Sequence, residues 1–124
     1  MTNQIFILVG SALSIIWGVA HLFPTKSVVK GFGDITMDNK RIITMEWIIE
    51  GVFLIFIGLL CAVLTFLDHV HYLSNFVFVF SAAFLIVLAV ISLFTGFKVN
   101  FLPFKLCPVI FTGSAVLILI GTIL

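Results

Sequence analysis

Four long apolar runs, Ile5 to Phe23, Trp47 to Leu67, Phe76 to Phe97 and Phe104 to Leu124, alternate with polar or Pro/Gly-containing breaks. Each is close to the roughly 20 residues that an α-helix needs to cross about 30 Å of hydrocarbon. Within the runs, small and polar residues recur at helical spacing: Ser11, Ser14, Gly18 and His21; Glu46, Glu50, Gly58, Cys61, Thr65 and Asp68; Ser81, Ala89, Ser92 and Gly96; Cys107, Ser114 and Gly121. Lipid tails supply no hydrophobic drive for helix association, so close backbone approach and interhelical hydrogen bonds must do so, and these stripes are expected to face one another. The pattern predicts an all-α fold, an integral membrane antiparallel four-helix transmembrane bundle. It forms one domain over residues 1–124, with spans near 5–23, 40–67, 75–97 and 104–124.

The breaks carry signals of their own. Thr25 to Lys30 predicts a short interfacial helix stopped by Gly31, which suits a left-handed position after a helix end. Phe32, Ile35 and Met37 are placed to dip toward the acyl chains. Asp38 is the natural N-cap of the second long helix, and Trp47 marks its membrane boundary. Lys40 and Arg41 in the first turn oppose the helix dipole, so headgroup anchoring and topology better explain their position. A fourth helix starting at Pro108 would retain only the 17 residues 108–124. A start near Pro103 or Phe104, with a bend at Pro108, is expected instead.

Composition leads to the same class. The chain is 63% hydrophobic and 9% charged with a mean hydropathy of +1.40, against about 45–50% apolar and about 25% charged in soluble domains. Any chemistry must therefore sit in or beside the bilayer. The net charge of +1 gives no reason to invoke nucleic acid. All six basic residues fall on one side, in two connections between helices: Lys26, Lys30, Lys40 and Arg41 between the first two, and Lys98 and Lys105, the latter at the very start of the fourth run, between the last two. The positive-inside rule then puts both termini on the non-cytoplasmic side of a plasma or inner membrane. The amino terminus lacks the basic n-region of a signal peptide, so the first run is read as a retained helix. Cys61 and Cys107 are expected near opposite faces, on the order of 15–20 Å apart, too far for a disulfide. The 15 phenylalanines are scattered around the helices as lipid-facing or packing surface.

Two of the five acids, Glu46 and Glu50, stand i,i+4 at the start of the second span. Acids at membrane depth are costly and usually mark function. With Trp47 at the boundary, Glu50 lies about 4.5 Å deeper, level with His21, which precedes Pro24 at the same end of the first span. His21, Glu46, Glu50, Arg41 and Trp47 are the candidate ligand-binding set, facing either an amphiphile such as a quinone or lipid, a metal or proton, or only one another as a packing clasp. A metal has weaker support, because no Glu-x-x-His motif occurs and nothing supplies the outer hydrogen bonds that orient ligands. Asp68, His69 and His71 form a second, sparse metal candidate on the opposite side. Ser14, Ser81, Ser92 and Ser114 have no evident base and are expected to bond back to their own helices.

The run Gly18-Val19-Ala20-His21-Leu22-Phe23-Pro24, followed by Glu50-Gly51-Val52-Phe53-Leu54-Ile55-Phe56-Ile57-Gly58-Leu59-Leu60, resembles the DoxX-like group of small four-helix membrane proteins. The resemblance covers the first half of the chain and implies importance for His21 and Glu50 alone. Some members of that group are subunits of quinone-linked sulfur oxidation or terminal oxidase systems. The resulting expectation is a non-catalytic, auxiliary membrane subunit or binding protein, in contact with membrane lipid and assembling as a homo-oligomer or within a larger complex. The alternatives are a small proton-coupled transporter using Glu50 and a purely structural subunit.

Overall fold

The structure, a computed structural model, describes residues 2–67 and 71–124. Five α-helices, α1 (Thr2–Leu22), α2 (Thr25–Gly31), α3 (Met37–Leu67), α4 (His71–Phe94) and α5 (Leu102–Ile123), are joined by short connections, with a 3-10 turn at Gly96–Lys98 before α5. No strand occurs among the described residues. Four helical stretches, Asn3–Leu22, Met37–Leu67, Tyr72–Lys98 and Leu102–Ile123, are long and apolar enough to cross a membrane. The chain is an integral membrane protein.

Helix boundaries follow local chemistry, and two differ from expectation. Asp38 does not cap α3. Thr36 does, its hydroxyl oxygen accepting from the Asn39 N–H at 3.2 Å while its carbonyl accepts from Lys40 N–H at 3.0 Å. The short helix α2 includes Gly31, and it is Gly33, at φ 72°, that takes the left-handed conformation open to a residue without Cβ. Pro103 lies in the first turn of α5, where a missing N–H costs nothing, and Pro108 lies inside the helix.

Packing is built on α1, which lies against α3 and α5, while α5 also packs on α4. Contacts between α3 and α4 are sparse, bridged by the edge-on Phe53 and Phe84 rings at 5.2 Å. The α1–α3 seam is as tight as backbone allows: a Cβ placed on Gly58 would come within 2.6 Å of the Ser11 carbonyl oxygen and 2.5 Å of Ile15 Cγ1. Ser11, Ser14, Cys61, Thr65, Ser81, Ala89, Cys107 and Ser114 are all buried. The serines divide. Ser11 and Ser92 donate to carbonyls one turn back, but Ser14 donates across to Leu54 O at 2.8 Å and Ser114 to Gly10 O at 2.6 Å. Those two stand where backbones approach closely enough for a short hydroxyl to reach the neighbouring helix, and they serve as interhelical links. Bulky apolar residues such as Phe23, Phe66 and Phe80 point outward, as a lipid solvent permits.

Candidate functional site

Where α1 ends, all four long helices contribute to one cavity. His21 comes from α1, Glu50 from α3, Leu88, Ile91 and Ser92 from α4, and Phe104 and Cys107 from α5, with Thr95 just after α4 and Gly96 of the 3-10 turn closing the wall. Its volume is about 280 Å³. An adjoining space of about 180 Å³ shares His21, Phe104 and Cys107 and is otherwise walled by Trp17, Ala20, Pro24, Trp47, Phe101 and Pro103. The pair forms an aromatic-lined recess with few polar groups, the usual composition of a small-molecule site.

His21 is held at its ring and at its main chain. Its ring stacks on the Trp47 indole, with centroids 3.7 Å apart and planes inclined by 16°. Trp47 Nε1–H donates to the His21 carbonyl at 2.7 Å, and the Thr25 hydroxyl donates to the Leu22 carbonyl at 2.6 Å. Both acceptors belong to the last turn of α1, whose carbonyls have no intrahelical donor. Phe104 then braces Trp47 edge-on at 5.5 Å. Held this way, the imidazole has little freedom to seek a partner of its own.

The partner it faces is incompletely engaged. His21 Nε2 lies 3.4 Å from Glu50 Oε2, yet it is buried and makes no hydrogen bond. The His21 side chain is 5% exposed and that of Glu50 41%. A buried polar group left unsatisfied costs about 1–3 kcal/mol, so His21 Nε2 gains from any acceptor that comes closer than Glu50 does. Ser92 and Thr95 give their hydroxyl protons to the Leu88 and Ile91 carbonyls at 2.7 and 2.6 Å. His21 and Glu50 therefore carry the uncommitted polarity of the main cavity.

Of the residues singled out from sequence, His21, Glu50 and Trp47 come together, while Glu46 and Arg41 do not. Gly51 packs on Leu22 and Trp47 bonds to His21, so α1 stops level with them, and the preceding turns of α3 run on without α1 beside them. Glu46 is exposed there. Arg41, further out, faces Asp38 at 3.6 Å, both side chains being largely exposed. Asp68 and His69 lie outside the described residues, as does the side chain of His71. Among the described residues no group of three or more His, Cys, Asp or Glu is placed to hold a metal.

Trp17 was not singled out, although it stands i,i+4 to His21 and so shares its helix face. Its Nε1 is also buried without a regular hydrogen bond, with the weakly accepting Cys107 thiol nearby. The recess thus contains two buried ring nitrogens without a regular hydrogen bond, that of Trp17 facing a weak sulfur acceptor. Comparison with family models, curated proteins and solved structures finds no match for this chain.

Proposed function

We propose that this protein is a non-catalytic membrane subunit or binding protein that holds a neutral, flat-headed amphiphile, of which a quinone is the best-fitting class, at His21 and Glu50. The observation that carries this reading is the buried His21 Nε2, without a hydrogen bond and 3.4 Å from Glu50, on the wall of a cavity to which four helices contribute. An imidazole N–H can donate to a ring carbonyl oxygen, and the Glu50 carboxylate can accept from a ring hydroxyl, so oxidised and reduced heads both find a partner. The stacked His21 and Trp47 rings and Phe104 offer flat apolar surface to the ring itself. A phosphate headgroup fits this cavity poorly, because the Glu50 carboxylate repels it. The sparse α3–α4 contact supports access for the tail from the bilayer. The first-half resemblance to DoxX-like proteins points the same way, since it rests on His21 and Glu50. Mass spectrometry of organic extracts from protein purified in mild detergent tests the reading. A neutral amphiphile near one per chain is expected, and extracts holding only bulk phospholipid would overturn it.

We further propose an antiparallel bundle with the site near the cytoplasmic leaflet and both termini outside, because every Lys and Arg lies in the α1–α3 and α4–α5 connections or in the first two turns of the helix that follows. With Ser27→Cys and Leu124→Cys introduced singly, a membrane-impermeant maleimide added to intact cells is expected to label only the second. Labelling of residue 27 from outside would invert the site.

A further inference from the structure

The α1–α3 connection frames a second cavity, of about 260 Å³, that shares no lining residue with the recess around His21. Lys26, Val29 and Lys30 come from one face of α2, with Thr25 before them, and Lys40 and Thr44 stand i,i+4 on α3. Three lysines therefore line a cavity whose wall contains no carboxylate. Neither Lys26, Lys30 nor Lys40 forms an ion pair among the described residues, and the neighbouring Asp38 faces Arg41 instead. The Thr25 and Thr44 hydroxyls donate to the Leu22 and Lys40 carbonyls, so the free donors here are the lysines. Like charges gathered without a counter-charge repel one another, and an anion seated among them removes that cost.

We propose that this cavity binds the phosphate of an anionic membrane lipid. Phosphate suits a cavity lined by three lysines, and basic pockets beside transmembrane helices take such headgroups. The surroundings favour a lipid over a free phosphate. Phe23 before α2, Phe32 after it and Met37 at the start of α3 are 85%, 53% and 61% exposed, so apolar surface for acyl chains borders the cationic pocket. The site is complementary to the His21 recess: one takes an anionic head, whereas the other, with Glu50 in its wall, takes a neutral one.

Native mass spectrometry of the detergent-solubilised full chain, titrated with phosphatidylglycerol or phosphatidylcholine, tests this assignment. Phosphatidylglycerol is expected to bind at least about tenfold more tightly, because each of the three basic residues adds attraction to an anionic headgroup. Lys26→Gln/Lys30→Gln/Lys40→Gln should abolish the preference, while Arg41→Gln/Lys98→Gln/Lys105→Gln, which removes as many charges from the other basic positions, should keep it. Should the first triple fold poorly, Lys26→Gln/Lys30→Gln alters only exposed side chains and should still lower the preference several-fold. Equal loss in both triples would mean diffuse attraction, and absence of any preference would mean no site. Displacement of the lipid by millimolar inorganic phosphate would assign the cavity to a free anion. Each of these three results overturns the proposal.

Discussion

Gly58→Leu is expected to destabilise the protein by about 3 kcal/mol or to prevent its folding, at the upper end of what overpacking a close contact costs. The new Cβ would meet Ile15 Cγ1 at 2.5 Å, the Ser11 carbonyl oxygen at 2.6 Å and Ile15 N at 3.1 Å. Two of those atoms are backbone, so rotamer changes cannot clear them, and α1 must move away from α3. Separation at this seam also strains the nearby Ser14 to Leu54 hydrogen bond. Gly113 is the matched control, because a Cβ there meets nothing within 4 Å. Gly113→Leu is expected to be neutral or slightly stabilising, since glycine disfavours helix by about 1 kcal/mol. Unfolding of both variants in mixed micelles checks the contrast. Similar stabilities would mean that α1 and α3 are not packed as described.

The second large effect separates stability from function at the recess. His21→Phe together with Glu50→Leu is expected to give a folded protein as stable as the wild type or more so. The double change removes a buried, unsatisfied imidazole nitrogen and its incompletely engaged carboxylate at once, and deleting both sides of such a pair is often near neutral. Phenylalanine can keep the stack on Trp47, and the Trp47 hydrogen bond goes to a main-chain oxygen that the substitution leaves in place. Amphiphile content should nevertheless fall by about tenfold or more, because the polar head loses both partners, each worth about 1 kcal/mol or somewhat more with a charged group. A marked loss of melting temperature without any change in amphiphile content would identify the pair as a structural clasp.

How much was legible in the sequence depended on which constraint acted on the residue. The four long helices were legible because hydrocarbon thickness acts on every residue of a span, as the run from Phe76 to Phe97 shows. The buried faces through Ser11, Ser14 and Gly18, or Cys107, Ser114 and Gly121, were legible because close approach demands small residues at helical spacing. His21 and Glu50 were paired from depth alone. The same reasoning grouped Glu46 and Arg41 with them, whereas the structure places both away from the recess, since depth along α3 does not reveal that α1 ends at Leu22 and that those turns run on beyond it. Thr36 rather than Asp38 caps α3 because two cap-competent positions two residues apart differ only in where the preceding loop enters the helix. Leu88, Ile91 and Thr95 were beyond reach, because apolar or hydroxyl residues become a cavity wall only through the placement of α4 beside α5 and its sparse contact with α3. Trp17 was within reach, and its spacing from His21 was the signal.

The central claim, that the recess around His21 holds a quinone-like head, is tested most directly by tryptophan fluorescence. The chain has two tryptophans, Trp17 and Trp47, and both line the recess, so an electron-poor ring bound there quenches the protein's whole indole emission. Titration of the detergent-solubilised protein with a short-tailed benzoquinone is predicted to give saturable quenching, which His21→Phe/Glu50→Leu weakens about tenfold while the protein stays folded. Quenching that rises without saturation and is the same in both proteins would contradict the claim.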